Sequence, residues 1–249
     1  MAVNIFERYG IKEVANVYFE ALSDAKDGSG IKKGDIVLYL DTLKVSTVET
    51  TAENVSAQGG WGNPKLITWD YNKDINVTLE DAVISWEELR ILMGAKMKNA
   101  DANTSVTVRK NGEASYPELP EGLEEAANAK WVNMTQGTRG QGVIEEGKAA
   151  NGDRIRYFWE EEKQGADANA TELIVTPNDF PGTYRVVGDA LVRSELEGRD
   201  DAFQFIINKA KLLSEVTITM QAEGDPSTFN MTLNVLRDPD GNMMSLIKY

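Results

Sequence analysis

Histidine and cysteine are both missing from the chain's 249 residues, and the two absences remove most of the usual catalytic repertoire. Without imidazole there is no Ser-His-Asp triad, no histidine general base and no zinc site of the common nitrogen-and-sulfur kind. Without thiols there is no cysteine nucleophile, no disulfide and no iron-sulfur cluster. Carboxylate chemistry, lysine chemistry and oxygen-ligated magnesium or calcium are what survive. Long apolar runs are lacking too, none approaching the roughly 20 residues needed to span a bilayer, so no membrane partner is expected. The opening residues, MAVNIFERYGIKEV, carry acidic groups and no continuous apolar stretch, and a basic-then-apolar signal peptide is not expected. Basic residues are scarce: 26 Lys and Arg face 40 Asp and Glu, for a net charge of −14. Such a surface repels a polyanion, which argues against nucleic-acid binding by phosphate neutralisation and suits a protein past which DNA must slide without sticking.

Most of what is present reads as short strands with a period of two. Residues 35–40 (DIVLYL) and 43–48 (LKVSTV) flank Asp41-Thr42, a break that predicts a tight hairpin even without glycine. Residues 65–71 (KLITWDY) and 75–79 (INVTL) flank Asn72-Lys73-Asp74, which reads as a second hairpin turn. A helix is predicted over 85–93 (SWEELRILM), with Ser85 as cap, Glu88 completing a capping box, and Trp86, Leu89, Ile91, Leu92 and Met93 on its apolar side before Gly94.

From residue 97 to 152 the chain turns rich in Gly, Ala and Asn. One strand is expected at 104–109, a turn at Asn111-Gly112, a short helix over 123–131, and a mobile or partner-ordered loop over 135–150. Strands return at 154–159, 171–176, 183–192, 202–207, 216–222, 229–236 and 243–248. Pro181-Gly182, Gly224-Asp225-Pro226 and Pro239-Asp240-Gly241 separate several of them. The expected product is mainly β: an antiparallel β sandwich or barrel with one or two flanking helices.

Few residues qualify as candidate sites. Gly59-Gly60-Trp61-Gly62 is no phosphate cradle, because Asn63-Pro64 and a strand follow where a helix N-terminus would be required. Two readings stay open: a flexible turn with Trp61 tucked against a nearby surface, or a loop whose exposed tryptophan anchors in a neighbouring subunit. The acidic residues Glu80, Asp81, Glu87 and Glu88 lack the spacing of a glycosidase pair or magnesium site and fit the N-terminal turn of a helix. Asp238-Pro239-Asp240-Gly241-Asn242 lacks the remaining ligands of a calcium loop and reads as a turn. Glu160-Glu161-Glu162 reads as a solvated or polyanion-repelling face. Arg185, Asp189 and Arg193 fall on one face of a regular strand, as a surface ion-pair ladder or, at a subunit boundary, as a register-setting contact.

Several stretches together resemble a family of virion proteins, the tail-tube proteins of tailed bacteriophages of Gram-positive hosts. They are IFERYGIKEV (5–14), YLDTLKVS (39–46), AQGGWGNPKLITWDYNKDINVTLEDA (57–82), PGTYRVVGDALVR (181–193), FQFIINKAK (203–211) and AEGDPSTFNMTLNVLR (222–237). The resemblance implies a tail-tube-like β core of residues 1–96 and 153–249, two packed sheets with a flanking helix, and an inserted or irregular segment at 97–152. It implies a structural subunit, not an enzyme, without cofactor or metal, that self-assembles into stacked, hexameric rings forming an acidic conduit for DNA ejection. Its partners would be further copies of itself, the tape-measure, tail-terminator and baseplate proteins, with a sheath as a further candidate; DNA would pass without specific binding. It would be assembled in the host bacterial cytoplasm and reside in the virion tail. A long loop, here residues 49–64 with Trp61, would reach the next ring, making Gly59, Gly60, Trp61 and Gly62 inter-subunit candidates beside Arg185, Asp189 and Arg193. Two other classes compete: a baseplate, tail-terminator or glycan-binding β-sandwich module using Trp61, Trp69 and Tyr71 as a stacking platform, and, third, a carboxylate-based virion hydrolase.

Overall fold

The computed structural model describes residues 8–11, 15–25, 30–165, 169–216, 218 and 228–249. The strand expected at 216–222 and the turn at Gly224-Asp225-Pro226 fall almost wholly outside these residues, as does most of the N-terminal stretch 5–14. In chain order the elements are β1 (Tyr9–Ile11), β2 (Asn16–Ala21), β3 (Ile36–Leu40), β4 (Leu43–Gln58), β5 (Lys65–Asp81), α1 (Trp86–Met93), β6 (Lys96–Asn99), β7 (Val106–Ser115), β8 (Lys130–Asn133), β9 (Arg139–Gln141), β10 (Arg154–Lys163), β11 (Thr171–Ile174), β12 (Thr183–Ser194), β13 (Asp200–Leu212), β14 (Phe229–Val235) and β15 (Ser245–Lys248). The protein is mainly β and antiparallel, sandwich-like, without a closed barrel.

The chain divides into two compact units, Met1–Lys96 with Leu173–Tyr249, and Met97–Glu172. The first is built on a nine-stranded sheet in the order β3-β2-β12-β13-β14-β5-β4, with β1 added on β12 and β15 on β13. Alternation explains its core: Val17 and Phe19 of β2, Ile75, Val77 and Leu79 of β5, and Met231 and Leu233 of β14 all point inward, while residues between them face out.

Two sequence expectations fail here. Asp41-Thr42 makes no hairpin, because β3 and β4 lie at opposite ends of the sheet order. Two residues join the two terminal strands, so the sheet curls until its ends approach. With no glycine to supply positive φ, the corner is held by one side-chain and one backbone hydrogen bond: the Thr42 hydroxyl donates to the buried Asp81 carboxylate at 2.5 Å, and the Ala82 amide donates to the Thr42 carbonyl. Nor is Asn72-Lys73-Asp74 a turn, since β5 runs unbroken through it for 17 residues.

The helix forms as expected. The Ser85 hydroxyl accepts from the Glu88 amide at 3.1 Å, the Glu88 carboxylate accepts from the Ser85 amide at 2.6 Å, and Gly94 ends the helix at φ 63°. Burial raises the Glu88 carboxyl above its ordinary value, opposed by the Ser85 amide. Ile91 and Leu92 enter the core, whereas Trp86, expected on the apolar side, is exposed. It is the one α-helix among the described residues, and the helix expected over 123–131 is reduced to a single 3₁₀ turn at Ala126–Asn128.

The second unit has its own four-stranded sheet, β7-β10-β8-β9, and its own core of Leu123, Trp131, Ile144, Ile155, Tyr157 and Trp159. β7 continues through Asn111-Gly112, so no turn falls there. The 135–150 segment contributes the buried Ile144 and is tied back to Asp153, whose carboxylate accepts from the Ala150 amide at 2.8 Å and from the side chains of Asn133 at 2.8 Å and Gln136 at 2.6 Å. These donors, the Ala150 amide foremost, hold the Asp153 carboxyl below its ordinary value.

Candidate self-assembly surface

β4 and β5 pair antiparallel from Leu43↔Asp81 out to Gln58↔Lys65 and form an arm that is exposed from about residue 49 on one strand to 73 on the other. Its tip is Gly59-Gly60-Trp61-Gly62-Asn63-Pro64. The Gly59 amide donates to the Pro64 carbonyl and the Asn63 amide to the Gly60 carbonyl, while Gly60 and Gly62 sit at φ 82° and 83°. At those two angles an L side chain would clash with its own backbone, so the glycines are there to make the turn. Trp61 between them is fully exposed, at 103%. The tucked-in reading of this tryptophan is therefore not what the subunit shows.

The arm has two unlike sides. Cross-strand partners share a face, and the pairs Glu53↔Tyr71, Val55↔Trp69 and Ala57↔Ile67 make one side, whereas Asn54↔Asp70 and Ser56↔Thr68 make the other. The Ser56 and Thr68 hydroxyls are hydrogen-bonded at 3.0 Å. Tyr71, Trp69, Ile67 and Val55 are each about half exposed. An isolated two-stranded ribbon is marginal in water, and one with a bare aromatic face is an invitation to a partner.

A single bulge produces this arrangement. Thr51 pairs Asp74 and Glu53 pairs Tyr71, so Ala52 faces two residues, Asn72 and Lys73. Asn72 adopts φ 52°, a conformation asparagine tolerates better than most residues. Most apolar residues of β5 occupy odd positions, at 67, 69, 71, 75, 77 and 79, with Leu66 beside the tip as the exception. The extra residue turns 75, 77 and 79 into the core and 67, 69 and 71 onto the opposite side. That shared parity on either side of 72–74 is the sequence signal for one continuous strand, and a turn at 72–74 overlooks it.

Below the bulge, the outer side is polar. Cross-strand rows Asn76↔Asn234, Thr78↔Thr232 and Glu80↔Asn230 continue on β4 as Glu49, Thr47 and Val45, with Thr51↔Asp74 above them. The Asn234 side chain donates to Asp74 at 3.0 Å and to Asn76 at 3.1 Å. On β14, β5 and β4 these rows contain carboxylates, amides, hydroxyls and Val45 and no basic residue; on β13 the Asn234 row continues to Lys211, whose ammonium donates to the Pro181 carbonyl.

The remaining sequence candidates sit elsewhere on the sheet and are not brought together. Arg185 pairs across to Glu20 of β2 at 3.2 Å, Asp189 accepts from the Gln204 side chain at 2.7 Å, and Arg193 holds Asp200 in two hydrogen bonds of 2.5 and 2.6 Å. Each thus has its own intramolecular partner, and the three form no ladder with one another. Asp238 accepts from the Asn242 amide and from Asn208, closing an ordinary turn that keeps its carboxyl below the usual value against the effect of burial. Glu160 and Glu161 meet Arg109 and Lys110.

The family model of the YomU/Tube protein family matches residues 9–247. The chain belongs to that family. The match spans both units of this tube-family chain and agrees with the tail-tube resemblance carried by its sequence. No curated protein matches it significantly. Among the described residues, no group of three or more Asp and Glu side chains is placed to hold a metal ion, and no helix is long and apolar enough to cross a membrane.

Proposed function

We propose that this tube-family chain is the structural subunit of a bacteriophage tail tube, assembling in the host cytoplasm into stacked hexameric rings that form the conduit for DNA ejection. The observation that carries the reading is the β4–β5 arm. Its aromatic face is half bare and Trp61 fully exposed among the described residues, and docking on another copy would remove both from water. The edges of the sheet, β3 and β4, support the same reading, since contact between copies would cover their open backbone groups.

In this reading the basic-free rows of β14, β5 and β4 line the lumen, with Glu49, Asp74 and Glu80 as the charged groups. A duplex meeting carboxylates, amides, hydroxyls and Val45 on these strands, without a basic side chain, releases no counterions and gains no grip on the wall. Two-stranded ribbons twist strongly, so the arm need not present its aromatic side in the direction of those rows. Arg185, Asp189 and Arg193 serve as secondary contacts between subunits, each with an intramolecular partner to retain or exchange. Tape-measure, terminator and baseplate proteins cap the assembly, and catalysis plays no part in it.

Negative-stain electron microscopy of the concentrated protein tests this. Tubes or stacked rings are the expected result. Monomers or amorphous material at every salt and concentration, tail-completion proteins included, would overturn it.

A further inference from the structure

The second unit presents two faces of opposite chemistry. On the solvent side of its sheet, cross-strand rows place Arg139, Val132, Arg156 and Glu113 side by side, and next to them Lys130, Phe158 and Asn111. Arg154 and Arg156 share the single carboxylate of Glu113, so one positive charge is left over. Arg139 and Lys130 are exposed and have no carboxylate partner among the described residues. Phe158 stands in the middle, 42% exposed. In a chain of net charge −14, this is a local basic surface on one side of an aromatic knob, whose other neighbour along β10 on that face is Glu160, paired with Arg109.

The opposite side of the same sheet is covered by the loops after β7 and β9, and there the chemistry inverts. A cavity of about 460 Å³ opens between them, floored by Tyr116, Pro117, Leu119, Ile144 and the inward-facing Tyr157, with the exposed Val143 at its mouth. Glu124 and Glu125 line it, and Glu118, Glu121, Glu145 and Glu146 are exposed nearby in the same loops. Among the described residues no basic side chain lines this cavity, and the exposed Lys148 follows Glu146 in the same loop.

The geometry points to a head-to-tail contact between copies of this chain, in which the basic face of one second unit seats on the acidic, apolar-floored cavity of the next, with Phe158 entering and Lys130 and Arg139 meeting Glu124 and Glu125. A second copy is the occupant because the complement is on the chain itself. An aromatic knob flanked by Lys130 and Arg156 fits an apolar hollow bordered by Glu124 and Glu125, and few surfaces in so acidic a protein could supply the basic half. The two faces lie on opposite sides of one sheet, so the contact cannot be isologous; it must propagate from copy to copy, closing a ring or extending a filament. This inference rests on the self-assembly reading above, but it concerns a different surface from the arm.

The absence of native cysteine makes the test direct. Two full-length variants, Phe158→Cys and Val143→Cys, each carry one thiol, and on oxidation of their mixture at about 50 mM salt the mixed disulfide dimer should exceed either homodimer at least tenfold. At 1 M salt, where charges are screened beyond about 3 Å, that excess should fall severalfold. Adding Lys130→Glu with Arg139→Glu to the first chain, or Glu124→Lys with Glu125→Lys to the second, should each lower the yield about tenfold, and combining the two altered chains should restore it. Equal homo- and heterodimer yields, or charge reversals without effect or without mutual rescue, overturn the contact. Grids of the same samples separate the two readings: tubes without the mixed disulfide reject this contact and leave the tube assignment standing, whereas the mixed disulfide without tubes supports the contact and counts against the tube. Neither product also rejects the contact.

Discussion

Replacing Trp69 by alanine should leave the subunit's fold intact and cripple its assembly. Trp69 retains 52% of its surface in the isolated subunit. A tryptophan side chain presents up to about 250 Å², so roughly half of that, about 130 Å², waits to be covered. At about 25 cal/mol per Å² this corresponds to about 3 kcal/mol, and because alanine keeps part of the contact the loss comes to about 2 kcal/mol per docked arm. That is about a 30-fold rise in the critical concentration for tube formation. Pelleting of assembled material against total protein measures it directly. The subunit's own urea midpoint should shift by no more than about 0.5 kcal/mol, as for an exposed site. Thr68→Ala, on the hydroxyl side of the ribbon, is the control and should leave the critical concentration within about threefold. An unchanged critical concentration in Trp69→Ala would refute the assignment of this face. So would a subunit destabilised in parallel, because Trp69 would then be packing within its own chain.

Other outcomes follow from single positions. At Asn72, φ 52° is easy for glycine and poor for a β-branched residue, so Asn72→Gly should be silent while Asn72→Val costs about 1–2 kcal/mol; faster hydrogen exchange of the arm amides in the valine variant is the readout. Gly94→Ala places a Cβ at φ 63° only 2.5 Å from the Phe180 carbonyl carbon, and a loss of roughly 2 kcal/mol or more in the first unit's urea stability is expected. Hydrogen bonds from the Ala150 amide and the Asn133 side chain hold the Asp153 carboxyl below its ordinary value. A depressed carboxylate adds stability that is fully present above 3.8 and is lost as pH falls through the lower native value. Acid titration followed by tryptophan fluorescence should therefore show a destabilising limb below 3.8 that Asp153→Asn flattens; identical limbs would remove Asp153 from the account.

Much of this molecule is legible in its residues. Period-two alternation specifies β10 and β14 because each strand has one wet and one dry side, whereas β2 is not among the strands it predicts. Ser85, Glu88 and Gly94 mark both ends of α1 by groups that satisfy the helix's own free amides and carbonyls. Missing histidine and cysteine exclude whole classes of chemistry without reference to any fold. The glycines of the arm tip announce a turn, since only they occupy its backbone angles without strain.

Pairing was decided elsewhere. Asp41-Thr42 has hairpin length, yet β3 and β4 end on opposite edges because each gains more by extending the curled core than by zipping to its sequence neighbour. Asn72 looks like turn chemistry in isolation, and becomes a bulge because β4 runs opposite it for the whole length of β5. Whether Trp69 and Tyr71 are core or surface depends on that one extra residue, and no local property of the aromatics tells the two apart. Likewise Arg139, Lys130 and Phe158 lie far apart or unremarked in sequence, and only the register of β9, β8 and β10 makes them one face. Composition and periodicity are local averages and can be read along the chain; partner choice is a comparison between distant pairings, and it exists only once the chain has folded.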